Sequence, residues 1–473
     1  MRTIRTFIFA LTGLMSVTAA YAQTKCNCAA NFKWVKETFE KNDAGFAYAI
    51  QQKGQAAYDK QVATLQKKIT QSTSQSACVD ILTEYLSFFR KAHYSMSANN
   101  PEVTGADHTG AWPEIKLTEE EVRKSAEQGN PSDYTGIWGT GAYRIAIVKN
   151  AEGYKGVILS AGTGKWKPGQ VKLEISANGS GKFYMGNYST VKFDQPLLIG
   201  KNTVKLGYVY LSRIYPVIPE SESVALYARE ISTDTPFLQE LSKETVLLRV
   251  PSFDEGQRPL IDSLIASNYT LLTTKKNLII DIRNNGGGSD ISYSKITPLL
   301  YTNPIRSTNV ELFSTPLNNQ RMADYLKLDL SERSRNQVNA ALEQLNSHLG
   351  QFVNLNGTVV SIQKMDAVLP NPKNVAVIIN EANGSTAEEF LLMAKQSKKV
   401  KLFGKTTMGV LDISNMYFVD SPDKQFHLGY CLSKSLRIPD MKIDNIGIQP
   451  DFYIDRSIPD AEWLNFVKAN LEQ

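Results

Sequence analysis

The chain has 473 residues, 42% of them apolar and 21% charged, the balance of an ordinary globular protein rather than a disordered or fibrous one. Its formal charge is +5, and a cleaved leader carrying Arg2 and Arg5 would leave +3. That is too small an excess to mark a nucleic-acid-binding or anionic-surface-binding protein.

At the N-terminus Arg2 and Arg5 precede the apolar run "FIFALTGLM", and "SVTAAYA" ends on Ala20, Tyr21 and Ala22. A basic flank, a short apolar core and an Ala-x-Ala end predict a secretory signal peptide over residues 1–22, cleaved after Ala22. The run is shorter than the roughly 20 residues that span a bilayer, and no later run is longer. The expectation is an exported protein, periplasmic or secreted, with no membrane span. In that oxidising setting Cys26, Cys28, Cys78 and Cys431 allow three pairings. Cys28 with Cys78 is the pairing expected, tying the N-terminal segment to its own helices. No His or second Cys pair stands at zinc-ligand spacing, so neither a metal nor a cofactor is expected.

Residues 23–100 form a helical region: "FKWVKETFEKNDAGFAYAI" and "CVDILTEYLSFFRKAHYSM" repeat apolar residues three and four apart. A polar linker follows over 101–133, with one helix at Glu119 to Gln128. Residues 134–235 change to short alternating runs bounded by Gly, Asn and Pro, among them "AYRIAIVKN" and "YKGVILSAG". These predict a small β domain, a barrel or a sandwich. From 240 to 473 strands alternate with helices ("VLLRVPSF", "RPLIDSLIASNYTLLTT", "NLIIDI", "DISYSKITPLLY", "NVAVIIN", "STAEEFLLMAKQSKK", "KLFG"), the signature of an α/β layer with a largely parallel sheet. A helical insertion interrupts it at about 310–360.

The stretch "NLIIDIRNNGGGSD" runs a buried strand into three glycines. Glycines there let something approach the backbone. A P-loop needs Lys and Ser/Thr after its glycines, whereas Gly288 is followed by Ser289 and Asp290. A dinucleotide fingerprint lacks its last Gly, and Asp290 would repel a phosphate. The alternative is an oxyanion stabilised by backbone N–H groups, which requires a nucleophile on the same sheet edge. "VAVIINEANGSTAEEF" supplies Ser385 after a strand and a tight turn, opening a helix whose dipole favours negative charge. Ser385 and Glu388 also read as Ser-x-x-Glu, a capping box, and that purely structural reading stands beside the catalytic one.

"LLRVPSF", "LIIDIRNNGGG", "VIINEANGSTAEEF", "KLFGKTTMG" and "IDNIGIQPDFYI" occur in an order and spacing that resembles the tail-specific, or C-terminal processing, serine peptidases. These are the S41 or tricorn-core-like peptidases. The resemblance covers about residues 245–456 and the helices before His93. It implies a mixed-sheet α/β core of the ClpP/crotonase-like kind, flanked here by the N-terminal helices and the inserted β domain. It also implies cleavage of extended polypeptide segments.

Carried over residue by residue, the resemblance makes Ser385 the nucleophile and the N–H groups of Gly287 and Thr386 the oxyanion hole, with Gly286 and Gly288 as adjacent misassignments. One branch of the family uses a Lys immediately after "GxxTxG"; here Val410 follows "GKTTMG", and Lys405 reads as a surface or structural residue. The tricorn-like branch uses a His from the N-terminal region, matched by His93 in "RKAHYSM", where Ala92 and Lys91 replace the usual Gly and Asp. A neutral imidazole can take the Ser proton near neutral pH. His108, His348 and His427 lie in the linker, the insertion and a strand.

Asp444 in "DNIGIQPD" matches an acidic residue that helps to orient the site, where Glu is usual. Ser95 could supplement it near His93. Asp281 and Arg283 are expected to pair and fix the glycine turn, and Glu388 to cap. The family's PDZ module and its carboxylate-binding loop have no counterpart in residues 134–229. The sequence therefore predicts an exported serine endopeptidase with Ser385, His93 and Asp444 as its catalytic set and a polypeptide substrate. The rival readings are a catalytically silent binding protein on the same fold and a Ser/Lys-type processing protease.

Overall fold

The computed structural model describes residues 26–70, 74–99, 112–130, 133–162 and 166–473. The signal peptide expected at 1–22 and His108 lie outside the described residues.

The runs 278–280 and 375–379 are apolar throughout because their sheet is covered on both faces. Leu278, Ile280, Val375 and Val377 enter one buried cluster with Phe390 and Leu391, while Ile279, Ala376 and Ile378 enter another with Trp463 and Leu464. This six-stranded sheet runs in the order Phe237–Glu240, Thr245–Arg249, Asn277–Asp281, Asn374–Ile379, Val400–Gly404, Phe452–Tyr453. Its first strand is antiparallel to the second and the others are parallel. The glycine turn and Ser385 follow the third and fourth strands. Both therefore sit at the carboxyl edge of the parallel sheet, where α/β folds place their ligands.

A five-stranded antiparallel sheet stands beside it, built from Ser95–Ala98, Phe426–Ser435, Val310–Phe313, Phe352–Val353 and Ile413–Asp420. Phe426, Leu428, Tyr430 and Leu432 point from one face of its long strand into the helices Cys28–Asn42, Phe46–Lys53, Gln55–Ile69 and Gln75–Ser87. The helical reading of 23–100 thus fails towards its end, because Ser95–Ala98 is a strand paired with Gly429 to Phe426. The expected insertion likewise contributes two strands to this sheet besides its helices Pro316–Tyr325 and Glu332–Asn346. Cys28 and Cys78 form the disulfide, with Cα atoms 5.6 Å apart.

Two expected helices are broken. "RPLIDSLIASNYTLLTT" divides into Arg258–Ser267 and Tyr269–Thr274 at Asn268, and "DISYSKITPLLY" becomes a 3-10 turn at Asp290–Tyr293 and a short helix at Thr297–Leu300. Pro298 fits the second break: it has no N–H to continue a helix from the preceding turn, and it sits in the first turn of the short helix, where that N–H is not needed.

Residues 136–215 form one nine-stranded antiparallel sheet. Its edge strands, Thr190–Phe193 and Leu197–Ile199, lie at opposite ends of the strand order yet are separated by only residues 194–196. The sheet must therefore curl until its edges meet, and the interior is filled by Trp138, Ile145, Phe183, Val191, Leu206 and Leu211.

Candidate active site

The glycine turn rests on a buried charge cluster. Arg283 binds Asp281 through Nε at 3.0 Å and Nη2 at 2.6 Å, and Nη2 also reaches Glu230 at 2.6 Å. Arg249 Nη1 lies 3.5 Å from Asp281 Oδ1. Burial would raise the Asp281 carboxyl, but Arg283 and Arg249 hold it below the usual range. Burial and the neighbouring Asp281 push Glu230 up to about 8. The Asp281–Arg283 pair expected from the sequence is present, and it anchors the turn from below.

The three glycines have different reasons to be there. Gly286 has φ outside the left-handed region and no atom within 4 Å of an added Cβ. Gly287, at φ +109°, would place a Cβ 2.7 Å from Ser385 Cβ and 2.8 Å from Thr386 N. Gly288, at φ +143°, would drive one to 2.2 Å from the Phe253 backbone, which bridges to it. Gly287 thus packs its bare Cα against the serine. Its N–H donates to Asn285 Oδ1 at 3.0 Å, and Asn285 is buried and tied through Nδ2 to Val250 O at 3.2 Å.

Ser385 stands at φ 55°, ψ −127°, a conformation that costs a non-glycine residue roughly 1–3 kcal/mol and is held only where the surroundings enforce it. Here they do. Asn383 donates to Asn285 O at 3.0 Å, Asn380 N donates to Asn383 Oδ1 at 2.7 Å, and Ser385 N donates to Val410 O at 3.1 Å. The capping-box reading is overturned: the Ser385 side chain makes no cap hydrogen bond, because a cap needs the extended backbone that Ser385 lacks. Glu388 turns instead to the loop 407–410. It accepts from Thr407 Oγ1, from Gly409 N at 2.7 Å and from Val410 N at 2.8 Å. Thr386 N–H opens the helix Thr386–Ala394 with no acceptor among the described residues, while its hydroxyl serves Gly288 O at 2.9 Å and Asp290 at 3.0 Å.

His93 follows the fourth helix at φ 59°. Its Nδ1 lies 2.7 Å from Ile413 O. A carbonyl can only accept, so Nδ1 carries the proton and Nε2 keeps its lone pair. Burial lowers the imidazole below the ordinary histidine value; the Ile413 carbonyl opposes this and Arg90 adds to it.

Ser385 and His93 are therefore both fastened to one segment, Val410 to Ile413. Asp444 pins that segment by accepting from Leu411 N and Asp412 N, each at 2.7 Å, and makes no hydrogen bond to His93. The direct support expected of Asp444 is replaced by an indirect one, and burial holds its carboxyl above the usual range. Asp412 accepts in turn from Asp444 N at 2.9 Å and from Arg437 Nε at 2.9 Å.

The other candidates lie elsewhere. Ser95 begins an edge strand opposite Gly429 and makes no hydrogen bond to His93. Lys405 Nζ pairs with Glu381 at 3.6 Å, lies over the Trp463 ring and lines a separate cavity of about 190 Å³ between the barrel and the core. His348 Nδ1 bonds Gln344 O in the insertion, and His427 pairs with Asp420. The larger cavity, about 310 Å³, lies under the insertion helices and is lined by none of Ser385, His93, Gly287 or Asp444. Sequence reasoning missed Asn285, Asp412, Arg437 and Arg90. Asn285 and Arg90 stood in quoted motifs, Asp412 and Arg437 in none.

Gly287→Ala should lower kcat/KM on an unfolded polypeptide by roughly 100-fold or more, the scale of a lost oxyanion donor, because the added methyl meets Ser385 and Thr386. Gly286→Ala, with open space, should retain activity. Equal effects at both positions would contradict this assignment.

Among the described residues no helix is long and apolar enough to cross a membrane. Comparison with solved structures finds a mutant of CPAF at 12% identity and TM-score 0.51, covering 94% of this chain and 96% of that one. Mature CPAF complexed with lactacystin is similar at 13% identity and TM-score 0.50, covering 94% and 97%. At these identities the likeness is one of fold. No curated protein sequence matches the chain. Residues 244–454 match the family model of Peptidase family S41, the interval that contains the glycine turn, Ser385, the 407–413 loop and Asp444. The region 244–454 is thus an S41-type peptidase core.

Proposed function

We propose that the protein is an exported serine endopeptidase in which Ser385 attacks the scissile carbonyl and His93 Nε2 takes its proton. The carrying observation is the shared segment: Val410 O holds the Ser385 backbone and Ile413 O holds His93 Nδ1. Thr386 N–H, unengaged at the helix N-terminus, meets the developing oxyanion. Gly287 N–H joins it by sharing or leaving Asn285. The same imidazole, now protonated, gives its proton to the leaving amine, and a water activated by His93 then hydrolyses the acyl-enzyme. Asp444 and Glu388 act as positioning residues through the 407–413 loop.

The Lys-base reading lacks support, since Lys405 Nζ is engaged with Glu381 and Trp463. Export is supported by the N-terminal sequence pattern and by the Cys28–Cys78 disulfide, which an oxidising compartment maintains. A fluorophosphonate probe tests the reading against a silent binding protein. Covalent labelling should map to the peptide containing Ser385 and vanish in Ser385→Ala. A folded wild-type chain that stays unlabelled would favour the binding protein.

A further inference from the structure

We propose that Arg90, braced by Asp43, is a positioning residue for His93, fixing its backbone from the side of its carbonyl. The inference rests on the reading of His93 as the base. His93 has a left-handed backbone, φ 59°, which a non-glycine residue keeps only under constraint. The constraint falls on its carbonyl, which accepts from Arg90 Nε at 3.2 Å, Arg90 Nη2 at 3.0 Å and Cys431 Sγ at 3.2 Å.

Arg90 can serve there because its remaining donors are held. Nη1 lies 2.8 Å from Asp43 Oδ1 and Nη2 binds Asp43 Oδ2. Asp43 is fully buried and also accepts from Gly45 N at 2.9 Å and Cys431 N at 3.0 Å. The pair thus joins the ends of the first and fourth helices to the strand Phe426–Ser435. A lysine could not reproduce it, since one ammonium cannot present a planar fork to Asp43 and two nitrogens to a carbonyl.

The charged and titratable groups near His93 come from several elements, and Tyr48, Lys53 and Lys442 line a cavity together with Arg90 and Ile413. Arg90 and Asp43 come from the helix ends, the Cys431 thiol from the long strand, and Asp412 and Asp444 from the loop region. Asp412 is neutralised by Arg437, Asp444 is taken up by backbone N–H groups, and the buried Cys431 thiol is pushed up to about 12, chiefly by burial, so it stays protonated. Arg90 is the cation in direct contact with His93 and disfavours an imidazolium, and Asp43 is the anion that moderates it.

The test is the pH dependence of kcat/KM and of fluorophosphonate labelling in the full chain. Arg90→Gln should lower kcat by about tenfold or more through misplacement of the base. It should also move the acid limb to higher pH by about half a unit or more, since Asp43 is left uncompensated. Asp43→Asn should move the limb the opposite way. Arg90→Lys keeps the charge and loses the fork, so kcat should fall with the limb near its wild-type position; it stands in if Arg90→Gln fails to fold. A folded Arg90→Gln with wild-type kcat or an unmoved limb overturns the proposal, as does a wild-type kcat in Arg90→Lys. His93→Ala separates the failures: if it stays active the base reading is wrong, whereas an inactive His93→Ala beside a wild-type Arg90→Gln refutes only this inference.

Discussion

Ser385→Ala should abolish cleavage of an unfolded substrate such as casein, with a loss in kcat on the order of 10⁶-fold, the scale seen when a serine nucleophile is removed. Folding should survive. The side chain is half-buried and makes no cap bond, so its removal belongs with the small surface changes of about 0.5 kcal/mol, and the Tm should stay within a few degrees. Ser385→Gly sharpens the test, because glycine takes a positive φ without steric cost. That variant should be equally inactive and more stable than Ser385→Ala, by about 1 kcal/mol. A stabilised, inactive glycine variant is what strain enforced at a functional site produces. Thermal unfolding alongside the cleavage assay reads both effects, and residual activity in either variant would remove Ser385 from the chemistry.

His93→Ala should be nearly as damaging, about 10⁴-fold or more in kcat/KM, whereas Lys405→Ala should leave activity close to wild type. The pH profile carries the same distinction. Only the neutral imidazole accepts the serine proton, so activity falls as the pH drops through the His93 pKa. Burial, with Arg90, depresses that pKa despite the Ile413 carbonyl. The acid limb should therefore lie below the ordinary histidine value of about 6.5, not at or above it as an unburied histidine would suggest. A lysine base would place the limb well above neutrality. A limb that is high in the wild type and lost in Lys405→Ala would reverse the assignment.

Much of the core could be read from local pattern. "NLIID" and "NVAVII" are strands because their central runs, 278–280 and 375–379, are wholly apolar and both faces are covered, and Ser385 follows from a strand, a tight Asn-Gly turn and a helix in immediate succession. The helix Glu119–Gln128 carries its own start signal, with Thr118 and Glu121 forming the capping box that Ser385 and Glu388 do not. The two Ser/Thr-x-x-Glu segments look alike as sequence. They differ because the fold sets the backbone of Ser385 at positive φ and presents Glu388 with the Thr407, Gly409 and Val410 donors.

Periodicity and turn residues record relations between residues a few positions apart, and that is what the sequence determined here: the alternating strands and helices, the glycine turn, the placement of Ser385 at a sheet edge. The five-stranded sheet joins Ser95–Ala98 to Phe426–Ser435 and Val310–Phe313, segments far apart in the chain whose short runs carry no mark of their partners. The same holds for the groups behind the site. Asp444 grips Leu411 and Asp412, Arg90 grips the His93 carbonyl, and Asn285 holds Gly287, in each case through a bond from a side chain to a backbone atom. Such a bond asks nothing of the partner's residue type, so it leaves no trace in composition or spacing, and only the tertiary structure could decide it.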